Sequence, residues 1–540
     1  MTNQSRHAAI ASFALATLLL TQPDRAIGAT PSVPTPAIGA FRAMEARSEI
    51  EPLIRPFAQR DGANEFKLKQ SANGDSVETH KFQHYFRGLE VVGSMALHHY
   101  GQAGVQLQNR VAEFDVDTKP TVSAEDATSL ALSYVGTERT LAGLPVLKIL
   151  PTQRDHSANL VYWISVEGDL LQPAEDVVID AHSGRLIARM PHHISIAPVE
   201  VFTADRQGKS LEILGEPTGR PTGCEITDLS TGTKQEVGIT QCRATLQADS
   251  CQLLLPGGMP AFVIPSLCKP VSDSDSAALQ ARRNAEAVLS YYSKVHGRDS
   301  FDGHGSKVTN VVHVGQHFSN AFWVEKKMFM AYGDGNPDDG LGNFTKALDV
   351  AGHEMTHGVT ENTAALLQMD EAGAINEANS DFFGKMIEHT ARGLPAGRAA
   401  WVMGVDLAAT PGSFDGIRDL ANPGSIKSKM RRDGRVVVVP YPSKASEKVE
   451  ISSGAACDDT NDFCNVHLNS TIPSHASYLV HQAIGKDKAE KLYYLALTQY
   501  YTAAATFASA SEDVVKACAQ IFDGETCTKV RQVYSELGLI

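Results

Sequence analysis

The chain has 540 residues, 43% of them hydrophobic and 20% charged, a composition typical of globular proteins. At about 150 residues per domain, this length predicts three or four folding units with room for a sizeable core. The net charge of −14 argues against a surface that binds nucleic acid or an anionic membrane, since either partner would need a basic patch.

The amino terminus has the pattern of a signal peptide. A basic residue, Arg6, precedes an apolar run from Ala8 to Leu20, and small residues follow at Gly28 and Ala29. The run is too short to span a membrane but long enough for the core of a signal peptide. We therefore predict cleavage near Ala29, export of the chain and no membrane anchor. The alternative, a buried helix, lacks an amphipathic or capped continuation.

The region after the signal peptide is free of cysteine and has an α+β pattern. Alternating segments on either side of Arg87-Gly88 predict two strands joined by a turn. Ser123 and Asp126 mark the start of a helix, in a pattern close to a capping box. Two strand segments follow, the second broken by a turn at residues 182–184. The contrast with the cysteine-bearing remainder predicts a domain boundary and a processing site near His192.

The remainder of the chain changes from strand-rich to helix-rich. Short strands are predicted from about 199 to 343, with one helix at residues 277–292. The pattern then becomes largely helical, and Ser509 with Glu512 is predicted to cap a helix near the end. The fold class is therefore α+β, with a β-rich lobe followed by an α-rich lobe. Residues 350–382 lie at their junction, a common position for an active site.

Export makes a disulfide framework the expected use of the cysteines. All eight lie after residue 223, at an even count. Two short-loop pairs are predicted, Cys457 with Cys464 and Cys518 with Cys527. The other four have three possible pairings that the sequence does not rank: Cys224, Cys242, Cys251 and Cys268. No C-x-x-C motif occurs in the sequence, which argues against a thiolate zinc site.

The junction carries the motif H-E-M-T-H. On a helix, residues four apart project from one face, so His353 and His357 can share one tetrahedral cation. Glu354 sits where it can reach a metal-bound water. By itself this three-residue motif also arises by chance on a solvated helix, so a third ligand is needed to decide.

Glu377 is predicted to be that third ligand. It follows His357 by 20 residues, behind a predicted turn at residues 371–373, in a second helical segment that can fold back on the first. Asp381, four residues later on the same face, is expected to accept the free N–H of a ligand histidine. Two histidines, one glutamate and an open fourth position indicate a catalytic zinc site rather than a structural one. Zinc there can lower the pKa of bound water to about 7 and polarise a carbonyl.

Several separated motifs together resemble one family. H-E-x-x-H followed by G-A-I-N-E-A-x-S-D resembles the thermolysin-like zinc endopeptidases. FSNAFWVEKKMFMAYGDG resembles the substrate-binding edge strand of that family, and NDFCNVHLNSTIPSHASYL its active-site histidine segment. YYLALTQYYTAAATFASA resembles its C-terminal helices, and HKFQHYFRGLEVVGS and VVIDAHSGRLI its two propeptide modules. The resemblance covers nearly the whole chain, with the motifs in the same order.

The resemblance implies a two-lobed zincin catalytic unit behind an α+β prodomain. Such a chain would be a secreted, monomeric zinc endopeptidase that acts on proteins or peptides, with its own propeptide as chaperone and inhibitor. The implied segments are a signal peptide at 1–29, a propeptide at 30–195 with modules at about 45–115 and 119–192, an amino-terminal catalytic lobe at 196–362 and a helical lobe at 363–540.

The resemblance also implies roles for individual residues. His353, His357 and Glu377 would bind one zinc ion, and Glu354 would be the general base. His467 would stabilise the tetrahedral oxyanion, with Asp462 orienting and charging it. Asn320 and Ala321 would pair with the substrate backbone, and Arg418 would bind the carbonyl next to the scissile bond. An apolar pocket would accept bulky hydrophobic residues on the amine side of the cut, and it would be lined by Val350, Met403, Leu407 and Ile417.

The sequence departs from the family at two places. The family commonly binds two calcium ions near the zinc; Asp349 and Glu388 match its ligands, but Ala400, Val402 and Val405 replace others. Calcium needs six to eight oxygens, so we expect a depleted double site. The second departure is Gln368, where the family usually has an oxyanion-binding tyrosine. Either the glutamine amide is a partial substitute, or Gln368 faces solvent and another tyrosine supplies the donor.

Two other functions are compatible with these motifs. The first is a zinc enzyme of another class, such as an aminopeptidase or deacetylase, against which the edge-strand run at residues 320–323 argues because it serves a long peptide. The second is a catalytically inactive homologue kept as a binding or inhibitory protein. Retention of Glu354 and of the three ligands argues against the second, although Gln368 lends it some weight.

Overall fold

A computed structural model describes most of the chain from residue 46 to the end. The predicted signal peptide, the predicted processing region near residue 195 and Ala400 lie outside the described residues. The described ranges are 46–55, 63–73, 76–152, 157–168, 174–192, 224–227, 234–237, 241–245, 248–254, 260–263, 276–306, 308–314, 317–325, 328–393, 401–432, 435–452 and 454–540.

Residues 46–192, here called the amino-terminal unit, are built on one eight-stranded sheet. Its strands are β1 (Asn64–Asn73), β2 (Val77–Phe86), β3 (Leu89–Gly101), β4 (Gly104–Arg110), β5 (Val146–Pro151), β6 (Ala158–Val166), β7 (Glu175–Asp180) and β8 (Leu186–Pro191). The path is β1-β2-β3-β5-β6-β7-β8, with β4 paired to β3, and only β3 and β5 run parallel. The predicted turn at Arg87-Gly88 is confirmed, and both residues have the positive φ of a tight hairpin turn.

Two helices cover this sheet. Helix α1 spans residues 46–55 and packs against β1 and β2. Helix α2 (Ala124–Val135) starts as predicted, because the Ser123 side chain caps it by accepting a hydrogen bond from the amide of Asp126. Ala127 and Ala131 of α2 are fully buried against the second half of the sheet. Each half of the sheet therefore has its own apolar core.

The next unit is rich in short strands. Backbone positions are described for β9 (Cys224–Thr227), β10 (Lys234–Val237), β11 (Gln241–Thr245), β12 (Ala248–Leu254) and β13 (Pro260–Val263), which form two small sheets. The side chains of Cys224, Cys242, Cys251 and Cys268 lie outside the described residues. Helix α3 (Ser276–His296) confirms the predicted helix and precedes β14 (Thr309–Val314), β15 (Ala321–Val324) and β16 (Phe329–Gly333). The sheet order β14-β16-β15 puts β15 at an edge among the described strands.

The rest of the chain is mainly helical, which confirms the α+β class. The helices are α4 (Leu348–Glu361), α5 (Asp370–Arg392), α6 (Asp462–Asn469), α7 (Thr471–Ile484), α8 (Lys486–Leu495), α9 (Phe507–Ile521) and α10 (Gly524–Glu536); a π-helical turn (Ala496–Tyr500) follows α8, and β17 (Lys427–Arg432) pairs with β18 (Arg435–Pro440). One apolar cluster connects α3 and the β14-β16-β15 sheet to these helices. The predicted disulfides Cys457–Cys464 and Cys518–Cys527 are both formed. No helix among the described residues is long and apolar enough to cross a membrane.

The predicted turn at residues 371–373 is wrong. These residues lie in α5, and the connection between α4 and α5 runs through residues 362–369 instead. Gly373 serves packing rather than a turn, because a Cβ there would lie 2.6 Å from a methyl group of Val466. A glycine read as a turn signal was therefore a site of close contact.

The predicted cap of the helix near the end of the chain is also displaced. Helix α9 starts at Phe507, with Thr506 as its cap and Ser509 at the third helical position of the capping box. Glu512 lies inside the helix and takes no part in the cap. The Phe507 amide donates to the Glu371 carboxylate at 2.6 Å, a tertiary contact that the local pattern does not reveal.

Helices α4 and α5 pack through two glycines. A Cβ on Gly384 would lie 2.4 Å from the carbonyl oxygen of Asp349, and one on Gly352 would lie 3.1 Å from the Cα of Gly384. Any larger residue would hold the two helices further apart. This approach brings Glu377 of α5 beside the histidines of α4.

The amino-terminal unit packs on the helical lobe through buried polar contacts. Lys81 donates to the carbonyl of Tyr501 at 3.1 Å, and the Gln108 amide donates to Asp513 at 2.8 Å. The His99 ring stacks on Tyr500 with 4.0 Å between ring centroids. Such contacts specify one docked orientation, since an unmatched buried polar group is costly.

Strand β8 extends the contact towards the junction of the lobes. The Arg189 amide donates to the carbonyl of Cys457 at 2.8 Å, and the Cys457 amide donates to Ile187 at 3.1 Å. The carbonyl of His192 then accepts a hydrogen bond from the amide of Glu325 at 2.9 Å. Glu325 is the residue directly after β15, so the chain at residue 192 lies against the end of that edge strand.

A Gly384→Ala substitution should destabilise the protein by about 1–3 kcal/mol, because the added methyl group overpacks the contact between α4 and α5. The melting temperature should fall, and so should the zinc content after dialysis. Gly524→Ala is the matched control, because nothing lies within 4 Å of a Cβ at that position. Equal melting temperatures for the two variants would contradict the packing argument.

Candidate active site

Three buried side chains from α4 and α5 converge on one point. His353 and His357 extend from α4, and Glu377 extends from α5. Nε2 of His353 lies 3.4 Å from Oε2 of Glu377, and Nε2 of His357 lies 3.3 Å from Oε1 of Glu377. The two Nε2 atoms are 3.1 Å apart. The i,i+4 spacing on α4 and the glycine contact produce this arrangement.

The distances fit a tetrahedral zinc ion. Ligand atoms at about 2.0–2.2 Å from such an ion are separated from each other by about 3.3–3.6 Å. The three observed separations lie at or just below that range. Burial disfavours the charged form of Glu377, but His467 and His353 outweigh it and lower the pKa of its carboxyl well below the usual value. An ionised carboxylate with two imidazole nitrogens is a zinc-binding donor set.

Both histidines are held by their other ring nitrogen. Nδ1 of His353 lies 3.0 Å from Asp381, where the sequence predicts a partner. Nδ1 of His357 contacts Asn376 at 3.0 Å and Ser380 at 3.2 Å, which the sequence analysis missed. Asn376 and Ser380 are also four residues apart on α5, so the same helical spacing would have found them. These contacts fix the tautomers that direct both Nε2 atoms inward.

Glu354 is fully buried between α4 and the edge strand. Its Oε2 accepts a hydrogen bond from the amide of Trp323 in β15 at 3.1 Å, while Oε1 has no partner among the described residues. Burial raises the pKa of Glu354 to about 8. A carboxyl group with a pKa near neutrality suits a group that both takes and gives a proton.

Arg418 is a fully buried cation beside the three converging side chains. Its Nε and one terminal nitrogen donate to the two oxygens of Asp381 at 2.9 and 2.7 Å, and the latter nitrogen also reaches Glu377 at 3.3 Å. The other terminal nitrogen has no partner among the described residues. Asp381 thus holds Arg418 and His353 at once.

The His467 ring also lies close to the Glu377 carboxylate. Its Nε2 is 3.7 Å from Oε2 of Glu377, and its Nδ1 is 2.5 Å from Asp462. Burial lowers the pKa of His467, but the charges of Asp462 and Glu377 outweigh it and raise that pKa to about 9. Both carboxylates therefore favour the protonated form of the ring, in which each nitrogen is a hydrogen-bond donor.

The first four residues of α6, which include Asp462, form a left-handed turn and not a regular helical turn. Four successive residues, 462 to 465, have positive φ values between 50° and 73°, and none is glycine. Such conformations cost about 1–3 kcal/mol each and persist only where the surroundings impose them. Here Cys464 forms its disulfide with Cys457, and Asn461 accepts a hydrogen bond from the Cys464 amide.

The residues predicted to contact substrate are all buried. Asn320 directly precedes β15 and Ala321 begins it, and both are buried. The four predicted pocket residues belong to one buried apolar cluster: Val350, Met403, Leu407 and Ile417. Ile417 and Leu407 both approach Gly404, and the Met403 amide donates to the carbonyl of Arg418 at 2.8 Å. The loop with these residues is therefore tied to the strand-like segment that presents Arg418.

Gln368 is buried, so the solvent-facing position considered for it is wrong, whereas a donor from another tyrosine stays a prediction. Its side-chain nitrogen donates to Glu325 at 2.6 Å, and its oxygen accepts from Asn376 at 3.4 Å. Asn376 in turn contacts His357. Gln368 thus links the end of β15 to a residue that orients a histidine.

Asp349 and Glu388, the predicted calcium ligands, face each other across α4 and α5. The ammonium group of Lys385 lies between their carboxylates. Val402 contributes its backbone carbonyl to Lys385, while the Val405 side chain is partly exposed. Lys385 was not predicted from the sequence. Lys385 follows Glu377 by eight residues, a spacing that places both on the same face of α5.

Comparison with known proteins identifies the family. The model described as thermolysin metallopeptidase, catalytic domain, matches residues 267–361, and the model described as its alpha-helical domain matches residues 364–539. Together these matches cover half of the chain. The chain belongs to the thermolysin metallopeptidase family. It is a zinc metalloendopeptidase, which confirms the enzyme class predicted from the sequence.

Individual relatives have moderate similarity. Neutral protease B of Bacillus subtilis (strain 168) is 28% identical over 511 residues, which are 88% of this chain and 87% of the relative. Thermolysin of Bacillus sp. (strain EA1) is 34% identical over 299 residues, which are 53% of this chain and 49% of the relative. A solved structure, the precursor of protealysin, a metalloproteinase from Serratia proteamaculans, has a TM-score of 0.44 and 30% identity, covering 53% of this chain and 84% of that one.

The left-handed turn leads to a prediction for the metallopeptidase. Replacing Cys457 and Cys464 by serine should let the turn relax and loosen the Asp462–His467 contact. We expect kcat to fall about tenfold with little change in KM, less than the 10²–10³ lost when an oxyanion donor is deleted. With Cys457→Ser, Cys464→Gly should recover most of the rate, because glycine adopts positive φ without strain.

The control is a Cys518→Ser, Cys527→Ser variant, whose disulfide connects α9 to α10. It should lower the melting temperature without lowering kcat. If Cys464→Gly is no more active than Cys464→Ser, the disulfide does not act by imposing the backbone conformation of the turn.

Proposed function

We propose that the protein is a secreted endopeptidase, made as a proenzyme, that cleaves peptide bonds on the amino side of bulky hydrophobic residues. The observation that carries the proposal is the convergence of the His353, His357 and Glu377 side chains, with the His467 ring beside Glu377 and Glu354 following His353 in α4. A nucleophile activated at that point would have a proton acceptor on one side and a cationic donor on the other. These are the two groups that hydrolysis of an amide requires.

In this proposal one zinc ion is held by His353, His357 and Glu377. Bound zinc supplies Lewis-acid polarisation of the carbonyl and a water of lowered pKa. Glu354 accepts the proton of the attacking water at its unpartnered oxygen and delivers it to the leaving amine. His467, held cationic by Asp462, donates a hydrogen bond to the oxygen that becomes negative in the transition state.

The substrate would bind as an added strand beside β15, with Asn320 and Ala321 supplying backbone groups that any peptide can match. The terminal nitrogen of Arg418 that has no partner among the described residues would donate to the carbonyl next to the cleaved bond. The apolar cluster of Val350, Met403, Leu407 and Ile417 supports a preference for bulky hydrophobic residues, because such a side chain gains by packing against apolar neighbours.

We further propose that residues 30–195 are a propeptide that assists folding and blocks the cleft. The catalytic unit would comprise the lobes at 196–362 and 363–540, acting as a monomer after processing near residue 195. The contact of His192 with the residue after β15 supports the blocking role, since a chain that continues from there starts at the substrate-binding edge. For calcium, the lysine between Asp349 and Glu388 supports a double site that is depleted.

Glu354 and His357 should have separable effects on zinc binding and on activity. Glu354→Ala should leave one zinc ion bound per chain and remove nearly all peptidase activity, because Glu354 acts on the water and not on the metal. His357→Ala should lose both zinc and activity. Casein hydrolysis and zinc content by atomic emission measure the two effects on chains cut near residue 195 by an added protease that is then removed. An active Glu354→Ala protein would sink the mechanism. A zinc-loaded wild type without activity on casein would favour a binding protein.

The proposed propeptide should be required for folding of the enzyme. Expression without residues 30–195 should give little folded enzyme, and co-expression of that segment as a separate chain should restore it. Gln108→Ala should weaken inhibition by the separate segment, because its amide binds buried Asp513. Lys67→Ala is the control, since Lys67 pairs with Glu65 on the exposed surface. Equal yields of active protein with and without the segment would refute the chaperone role.

A further inference from the structure

Lys385 is a buried cation surrounded by oxygen atoms from three segments of the chain. Its ammonium group lies 3.0 Å from Oδ2 of Asp349 in α4 and 3.1 Å from the carbonyl oxygen of Val402, and it also contacts Oε2 of Glu388 in α5. The side chain is only 1% exposed. Burial lowers the pKa of Lys385, but the Asp349 and Glu388 carboxylates outweigh it and keep the group charged.

The surrounding groups complete this cluster. Oδ2 of Asp349 also accepts a hydrogen bond from the amide of Gly404 at 2.8 Å, and Oε1 of Glu388 accepts one from Arg392 at 2.8 Å. Arg392 in turn pairs with Asp406 at 2.6 Å. The ammonium group of Lys385 is therefore buried between two carboxylates, whereas the guanidinium group of Arg392 lies further out and is partly exposed.

The cluster fastens the loop of the proposed specificity pocket. Val402 and Gly404, which contact Lys385 and Asp349, flank Met403, and Leu407 follows in the same loop. Removal of the ammonium group would leave two buried carboxylates facing each other, and such uncompensated burial is strongly destabilising. The loop would lose its tie to α4 and α5 at the same time.

We propose that the ammonium group of Lys385 is the resident cation of a site that accepts a divalent cation once the lysine is removed. Two carboxylates and one carbonyl supply the hard oxygen ligands that calcium prefers, and water would fill the remaining coordination positions in the space left by the side chain. The native protein thus carries its stabilising cation within the chain, and its pocket loop does not depend on calcium.

The test uses the full chain with Glu354→Ala, which prevents self-cleavage, in buffer freed of divalent cations but with zinc retained. Lys385→Ala removes the ammonium group and leaves space, whereas Lys385→Met removes the charge and fills the space. Melting temperatures are measured with and without CaCl2, and calcium binding is measured by isothermal titration. MgCl2 serves as the ion control, because magnesium dehydrates reluctantly and tolerates only octahedral geometry.

Without calcium, both variants should melt about 10 °C below the parent chain. CaCl2 should restore most of the loss for Lys385→Ala with a midpoint of about 10⁻⁴–10⁻³ M, and little of it for Lys385→Met or for the parent. A parent chain that gains as much from calcium as Lys385→Ala would overturn the proposal. The same holds if the two lysine variants respond alike.

If Lys385→Ala gives no folded protein in the absence of calcium, the yield of refolding with and without CaCl2 replaces the melting measurement. Recovery with CaCl2 and not with MgCl2 supports the proposal. Failure under both conditions, while Lys385→Met folds, contradicts it. None of these readouts depends on peptidase activity, so the proposal is separable from the proposed function.

Discussion

The structure depends on one stripe of buried charged side chains along α5 that faces α4. Glu377, Asp381 and Lys385 follow each other at intervals of four residues, so they lie on one face over two helical turns. Glu377 contacts the two histidines of α4. Asp381 contacts His353 and also Arg418, and Lys385 contacts Asp349 of α4. Charges buried to this degree are stable only when paired, so the whole stripe requires the short separation that Gly352 and Gly384 allow. The metal centre and the support of the pocket loop are therefore two ends of one interhelical contact.

Much of this stripe follows from the sequence, because helical spacing alone puts Glu377 and Asp381 on the same face as each other. The partners across the contact do not follow. Lys385 looks like any charged residue of a helix until the register of α5 against α4 is known, and that register is set by glycines whose meaning is ambiguous. Gly373 illustrates the ambiguity, since the same residue type predicts a turn and permits close packing. Local patterns gave the hairpin at Arg87-Gly88 and the cap at Ser123 correctly, because those depend on backbone conformation within a few residues.

The amino-terminal unit contacts the same machinery from outside. Cys457 pairs with β8 through its backbone and with Cys464 through its disulfide, so it joins the docked sheet to the left-handed turn that presents Asp462 to His467. At a second contact, the amide of Glu325 donates to the carbonyl of His192, and its side chain accepts a hydrogen bond from Gln368. The docked unit therefore contacts both flanks of the site, one leading to His467 and the other to His357. Loss of the unit changes the surroundings of both histidines.

Two buried groups at the docking contact, His99 and Asp513, respond to acid in opposite directions. Burial lowers the pKa of His99 to about 3, so its contribution to docking is present above its ordinary value near 6.5 and is lost as the pH falls towards 3. Burial raises the pKa of Asp513 to about 6, with Arg110 opposing, so its contribution is present below its ordinary value near 3.8 and is lost as the pH rises through 6. Over the window between about pH 4 and 6 the two effects have opposite signs, and acid that weakens the His99 contact strengthens the Asp513 one. In the proposed proenzyme, cutting the chain near residue 195 would remove the covalent tie between the unit and the catalytic lobes without acting on either group.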